Sequence, residues 1–197
     1  MTDMTDLRSD MERPLPPKVT ESRIVYENKW MRLREDRFER ADGSEGLYAV
    51  VEKAPAAAVI AIEDGQVTLV EQFRHPVGER FWEIPQGAWE GEDDPDPEEL
   101  GRGELREETG LQAGSMERLG KLYFAYGITG QAFDVWLATE LTQGEQDLEL
   151  EEEGLRVGRF PLAEVEEMIA DGRLVDSATV ASFGLLRLRR PELLPAR

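Results

Sequence analysis

Glu104, Glu107 and Glu108 fall at i, i+3 and i+4 in the stretch Gly103-Glu104-Leu105-Arg106-Glu107-Glu108-Thr109-Gly110-Leu111. That spacing puts three carboxylates on one face of a helix. Like charges so placed repel, so something positive should face them. Arg106 projects elsewhere on the helical wheel, while Leu100 and Leu105 supply an apolar anchor. Two readings of the pattern are open. One is a solvated acidic stripe. The other is a site for Mg²⁺ or Mn²⁺, ions that prefer all-oxygen ligands. Two such ions can neutralise a pyrophosphate, orient it and activate a water for in-line attack.

Charge is concentrated where that chemistry would need it. The 197-residue chain has Lys+Arg 23 and Asp+Glu 42, a net charge of −19. Residues 83–108 hold eleven acids and two arginines, and residues 140–153 hold seven acids and no base. The two stretches are either solvated surfaces that aid solubility or two acidic segments meeting around divalent cations. So negative a chain is a poor match for a nucleic-acid backbone or an anionic membrane. A phosphorylated small substrate remains compatible, because metal ions invert the local field.

Cysteine is absent, which removes disulfides, thiol catalysis and Cys-ligated zinc. The single histidine, His75, precedes Pro76 and cannot build a His-rich metal site. The longest near-continuous apolar run, Ala54 to Ile62, is nine residues with Pro55 inside it, too short to span a bilayer. The first twenty residues hold Asp3, Asp6, Asp10 and Glu12 and no apolar stretch, unlike a signal peptide. The chain reads as soluble and cytoplasmic.

The elements that must position the acids follow from pattern. Residues 1–20 are polar and Pro-rich and read as a disordered lead-in. Ile24, Tyr26, Met31 and Leu33 mark strands, and an Asp42-Gly43 turn leads to a return strand at 47–51, a small antiparallel β unit over 21–55. The main domain is expected over 56–197. Ala56–Ile62 is a buried strand, paired through Glu63-Asp64-Gly65 with 67–74, and a short aromatic segment follows at 81–85. A helix is predicted from about Glu98, with Pro97 in its first turn and Gly110 as its stop. Gly101 and Gly103 inside it mean either that packing demands them or that the helix begins nearer Arg102. Further strands are expected at 120–125, 132–138 and 155–160, and helices from Pro161-Leu162 and over 177–189. Helices on a mixed sheet make an α+β fold.

Gly87-Ala88-Trp89-Glu90-Gly91-Glu92 followed by Glu104-Leu105-Arg106-Glu107-Glu108-Thr109-Gly110-Leu111 resembles the Nudix box. The second half meets the family pattern in full. In the first half the loop is two residues longer than the pattern, and Gly103 stands where the family has an arginine. Arg102 or Arg106 is the available substitute. The resemblance implies an α/β/α sandwich built on a mixed sheet. It makes Glu104, Glu107 and Glu108 metal ligands for Mg²⁺, with Mn²⁺ possible, and Glu92 the upstream ligand, with Glu90 and Asp93 as rivals.

Over residues 22–190 the chain is similar to ADP-ribose and nucleoside-diphosphate-sugar pyrophosphatases, through Tyr26–Asp36, Glu71–Gly78 and Trp82–Gly87. That likeness implies a homodimer exchanging its N-terminal unit, with Trp30 or Tyr26 stacking on a base or else lying in a dimer or sheet core. Arg74 would hold a phosphate bidentately or pair with a carboxylate such as Glu83. Glu149–Val157 resembles the loop that supplies the catalytic base, which makes Glu153 the base and Glu151 its rival, alongside Glu108 in the catalytic set. Two departures bear on substrate. The turn 125–130 lacks the proline of ADP-ribose-specific members, and Pro85-Gln86-Gly87 is closer to the Pro-Gln-Gly of dinucleoside-polyphosphate and RNA 5′-pyrophosphohydrolases than to Pro-Ala-Gly. The expected reaction is Mg²⁺-dependent hydrolysis of ADP-ribose or a related nucleoside-diphosphate sugar to a nucleoside monophosphate and a sugar phosphate. The alternatives are GDP-mannose or a dinucleoside polyphosphate as substrate, or a catalytically impaired nucleotide-binding module.

Overall fold

A computed structural model describes residues 15–89, 96–148 and 154–194. The chain divides into two compact units between Glu52 and Lys53.

The N-terminal unit is a three-stranded antiparallel sheet of β1 (Lys18–Glu27), β2 (Arg32–Glu39) and β3 (Glu45–Glu52), in that order. The strand start corrects the expected lead-in: Lys18 and Val19 already pair with Glu39 and Phe38, and Thr20 sits at an irregularity inside the same strand. The charged and β-branched alternation of KVTESR suits a strand even though its composition is polar. Asp36, buried in β2, accepts from Ser22 Oγ at 2.6 Å and from Arg34, and the Arg34 bond holds its carboxyl below the usual carboxylate range. The β2–β3 turn forms where Asp42-Gly43 places it, with Asp42 accepting from Ser44 N.

The second unit is a seven-stranded mixed sheet. Its strands are β4 (Ala56–Glu63), β5 (Gln66–Arg74), β6 (Glu79–Glu83), β7 (Gln86–Ala88), β8 (Leu111–Tyr123), β9 (Ala132–Gln143) and β10 (Arg156–Pro161). The order is β10-β5-β4-β9-β8, with β6 on β5 and β7 on β4. β4 and β9 run parallel; the remaining pairs are antiparallel. Asp64 and Gly65, both at positive φ, close the β4–β5 hairpin as a two-residue turn.

β4 shows why the run 56–62 is uninterrupted apolar. Ala56, Ala58, Ile60 and Ile62 enter one core with α2 (Leu162–Asp171) and α3 (Ser177–Arg189), through Leu162, Val165, Met168, Phe183 and Leu186. Ala57, Val59 and Ala61 enter another with Leu100 and Leu105 of α1 (Pro97–Thr109) and Trp136 of β9. A strand covered on both faces has no solvent side to mark with polar residues. The result is the expected α/β/α sandwich. β8 is longer than the expected 120–125 and starts directly after Gly110. It is an edge strand with most of its residues exposed, so its first half carries little apolar alternation. Among the described residues no helix is long and apolar enough to cross a membrane.

Candidate active site

Local sequence sets the position of α1. Asp96 caps the helix, its carboxylate accepting from Glu98 N at 2.8 Å and Glu99 N at 3.1 Å, and Pro97 sits in the first turn. Gly110, left-handed at φ 74, ends it and returns its N–H to Arg106 O. Between these stops the three glutamates share a face, as their spacing requires. Glu108 is 1% exposed, while Glu104 and Glu107 are half-buried.

Two of the three carboxylates reach β7. Gln86 N donates to Glu108 Oε2 at 3.1 Å. The Glu104 carboxylate occupies the space that a Cβ on Gly87 would fill, so the glycine is what admits it. Glu107 is engaged otherwise: Arg106 Nη2 lies 2.6 Å from its Oε1. Arg106, expected to project elsewhere, thus reaches one glutamate of that face, its neighbour Glu107, on an exposed stretch of the helix. Arg102 turns away to Glu98 Oε1 and to Ala113 O. Of the two candidate substitutes for the missing arginine at 103, Arg106 is the one in contact with a helix-face glutamate.

Gln86 and Gly87 also line a cavity of about 630 Å³, together with Arg74, Phe81, Glu83, Phe124 and Asp176. Cavity and carboxylate face therefore share the β7 backbone as a common wall. Arg74 pairs with Glu83, Nη2 to Oε1 at 2.6 Å and Nε to Oε2 at 3.3 Å. Glu83 is 2% exposed, and burial pushes its carboxyl above the usual range against the opposing pull of Arg74. Tyr26 and Trp30 belong to the N-terminal unit. Each is 52% exposed there, so neither is core of its own sheet; Lys29 Nζ stands 4.4 Å above the Trp30 ring. Glu90, Glu92 and Asp93, and likewise Glu151 and Glu153, lie outside the described residues.

Residues 52–182 match the NUDIX domain, and residues 17–51 match the nucleoside diphosphate sugar hydrolase N-terminal domain. This chain is a Nudix hydrolase. An ADP-ribose pyrophosphatase of Mycobacterium tuberculosis is 35% identical over 151 residues, covering 76% of this chain and 72% of that one. An ADP-ribose pyrophosphatase of Bacillus subtilis is 28% identical over 179 residues, covering 90% and 96%. A solved structure described as an ADP compounds hydrolase superposes with a TM-score of 0.78 at 20% identity, covering 90% of this chain and 96% of that one, a likeness of fold.

In this Nudix hydrolase the donors that could hold a divalent cation are hard carboxylate oxygens, the type Mg²⁺ takes. Glu104 and Glu108 converge on consecutive residues of β7, and Gly87 is a cradle that any side chain would close. Among the described residues no group of three or more acidic or histidine side chains stands ready to enclose such a cation.

Several cavity residues were not singled out from sequence. Gln86 has no sequence signal beyond Pro85-Gln86-Gly87, yet its Nε2 donates to Glu83 Oε2 at 3.0 Å and to Asp176 Oδ2 at 3.1 Å. Asp176 caps α3, accepting from Thr179 N at 2.8 Å. The Asp-x-x-Thr spacing before an apolar run was the signal for that cap.

Proposed function

We propose that this Nudix hydrolase cleaves the diphosphate link of a nucleoside-diphosphate sugar, ADP-ribose or a close relative, in the presence of Mg²⁺, giving a nucleoside monophosphate and a sugar phosphate. The observation that carries the reading is the shared wall: one face of β7 meets the Glu104 and Glu108 carboxylates, and the same residues line a cavity holding Arg74. The names of the two pyrophosphatase relatives point to the same substrate class.

Glu104, Glu107 and Glu108, with Glu92, would hold the metal. When bound, divalent cations neutralise the diphosphate and lower the pKa of an attacking water. Arg74, kept beside the cavity by Glu83, offers its guanidinium to a phosphate oxygen. Glu153 takes the proton of the attacking water, with Glu151 as its rival. Tyr26 and Trp30 offer aromatic faces to the nucleobase, in a homodimer formed through the N-terminal unit.

A panel of ADP-ribose, ADP-glucose, GDP-mannose, NADH, diadenosine polyphosphates and 5′-triphosphate RNA, with Mg²⁺ or EDTA, tests the reading by product chromatography. Metal-dependent cleavage of a nucleotide sugar is expected. Glu108→Gln should lower kcat by at least about 100-fold without unfolding the protein, since even outer-shell partners of a metal site are worth ~10–100-fold. Wild-type turnover in that variant removes the metal assignment. Tight nucleotide binding with no turnover anywhere in the panel replaces the hydrolytic reading with that of a binding module.

A further inference from the structure

Arg74 does not stand alone at the cavity wall. Its partner Glu83 is buried and is faced by Asp176, a second carboxylate, from the N-cap of α3. The nearby Asp176 charge adds to burial in favouring a proton on Glu83. Gln86 lies between them and spends both N–H bonds of its amide there, one on Glu83 Oε2 and one on Asp176 Oδ2. The amide has one orientation that does this, since its oxygen would meet two acceptors if flipped. Asp176 is held in turn by Thr179 N and by Thr179 Oγ1 at 2.7 Å, and Thr179 Oγ1 accepts from Ile84 N at 3.0 Å.

We propose that Gln86 is a positioning residue for substrate binding, which locks the Glu83 carboxylate in place so that Glu83 can aim Arg74 at a phosphate of the nucleoside-diphosphate substrate. The inference rests on the reading of Arg74 as a phosphate-binding group. The backbone N–H of Gln86, which donates to Glu108, makes the residue a link between the helix-face glutamates and the cavity it lines, while the side chain serves Glu83 and Asp176. The charged groups around Glu83 are Arg74 and Asp176, and Lys53 lines the same cavity. Burial and Asp176 push the Glu83 carboxyl up, while Arg74 and the Gln86 amide pull it down. Removing the amide therefore lets Glu83 take a proton at higher pH, and a neutral Glu83 no longer orients Arg74.

The test is a double-mutant cycle on the full chain, with ADP-ribose and Mg²⁺ as probe. Gln86→Ala should raise KM about tenfold, the order of one lost hydrogen bond to a charged group, and leave kcat within about twofold because the backbone N–H to Glu108 remains. The acid limb of kcat/KM should move to higher pH. In an Arg74→Ala background the same substitution should change neither KM nor the limb. Gln86→Met, which fills the space without donors, should repeat the result if alanine leaves a hole. An unchanged KM in Gln86→Ala and Gln86→Met overturns the inference alone, whether or not Tm falls. An equal rise of KM in both backgrounds also overturns it, because Gln86 would then act on substrate independently of Arg74. If Arg74→Ala leaves KM unchanged, the reading of Arg74 falls and takes this inference with it.

Discussion

Gly87 illustrates how a missing side chain sets the chemistry of a neighbour. A Cβ there would overlap the Glu104 carboxylate, the mobile end of a long side chain, rather than any backbone. Gly87→Ala should therefore leave the fold intact and push Glu104 aside. The expected outcome is a kcat lowered by at least about tenfold, with an increased Mg²⁺ requirement and a Tm close to wild type. A variant with unchanged Mg²⁺ dependence would show that Glu104 does not need its present position. Legibility at this scale divided by distance along the chain. Glu104, Glu107 and Glu108 could be grouped from sequence because the helical repeat dictates their common face. The bond from Gln86 to Asp176 joins residues 90 apart, and no local periodicity encodes it.

At the scale of the element, α1 contains two glycines with different reasons. A Cβ on Gly101 would stand 3.1 Å from Trp136 Cδ1 and 3.3 Å from Met116 Cε, so close packing on β9 and β8 selects it. At Gly103 the nearest atom would be Glu107 Oε1 at 3.7 Å, and nothing crowds the position. Gly103→Ala should then gain close to the full helix-propensity difference, about 1 kcal/mol, raising Tm by roughly 2–4 °C. Gly101→Ala should gain less or lose stability, as Trp136 is displaced. Thermal unfolding of the two variants checks the ranking, and equal shifts would contradict it. The helix was readable because Asp96, Pro97 and Gly110 are local signals that act whatever the tertiary context. The start of β8 was not, because an exposed edge strand needs few apolar residues. The buried strand β4 was readable as an apolar run, but the alternation of its two faces became visible only once helices lay on both.

The whole molecule leaves one sheet short of cover. All ten residues of β1 are exposed, among them Val19, Ile24, Val25 and Tyr26, and Leu47 and Tyr48 of β3 are open as well. Contiguous bare apolar surface of this kind marks an interaction site. The proposed homodimer supplies the partner. Sedimentation of the 22.3 kDa chain should give a dimer that Ile24→Asp converts to monomer, and a monomeric wild type would refute it. The central pairing of the larger sheet has a consequence for synthesis. β4 joins β9 in parallel, Ala56 opposite Phe133 and Ala61 opposite Ala138, so its main neighbour lies far downstream. A chain emerging from the ribosome offers β4 only the short β5 and β7 ladders until residue 138 has been released. Such long-range closure slows folding. The β9 edge of the apolar segment 56–62 therefore waits unpaired through that interval, a bare strand edge in the nascent chain.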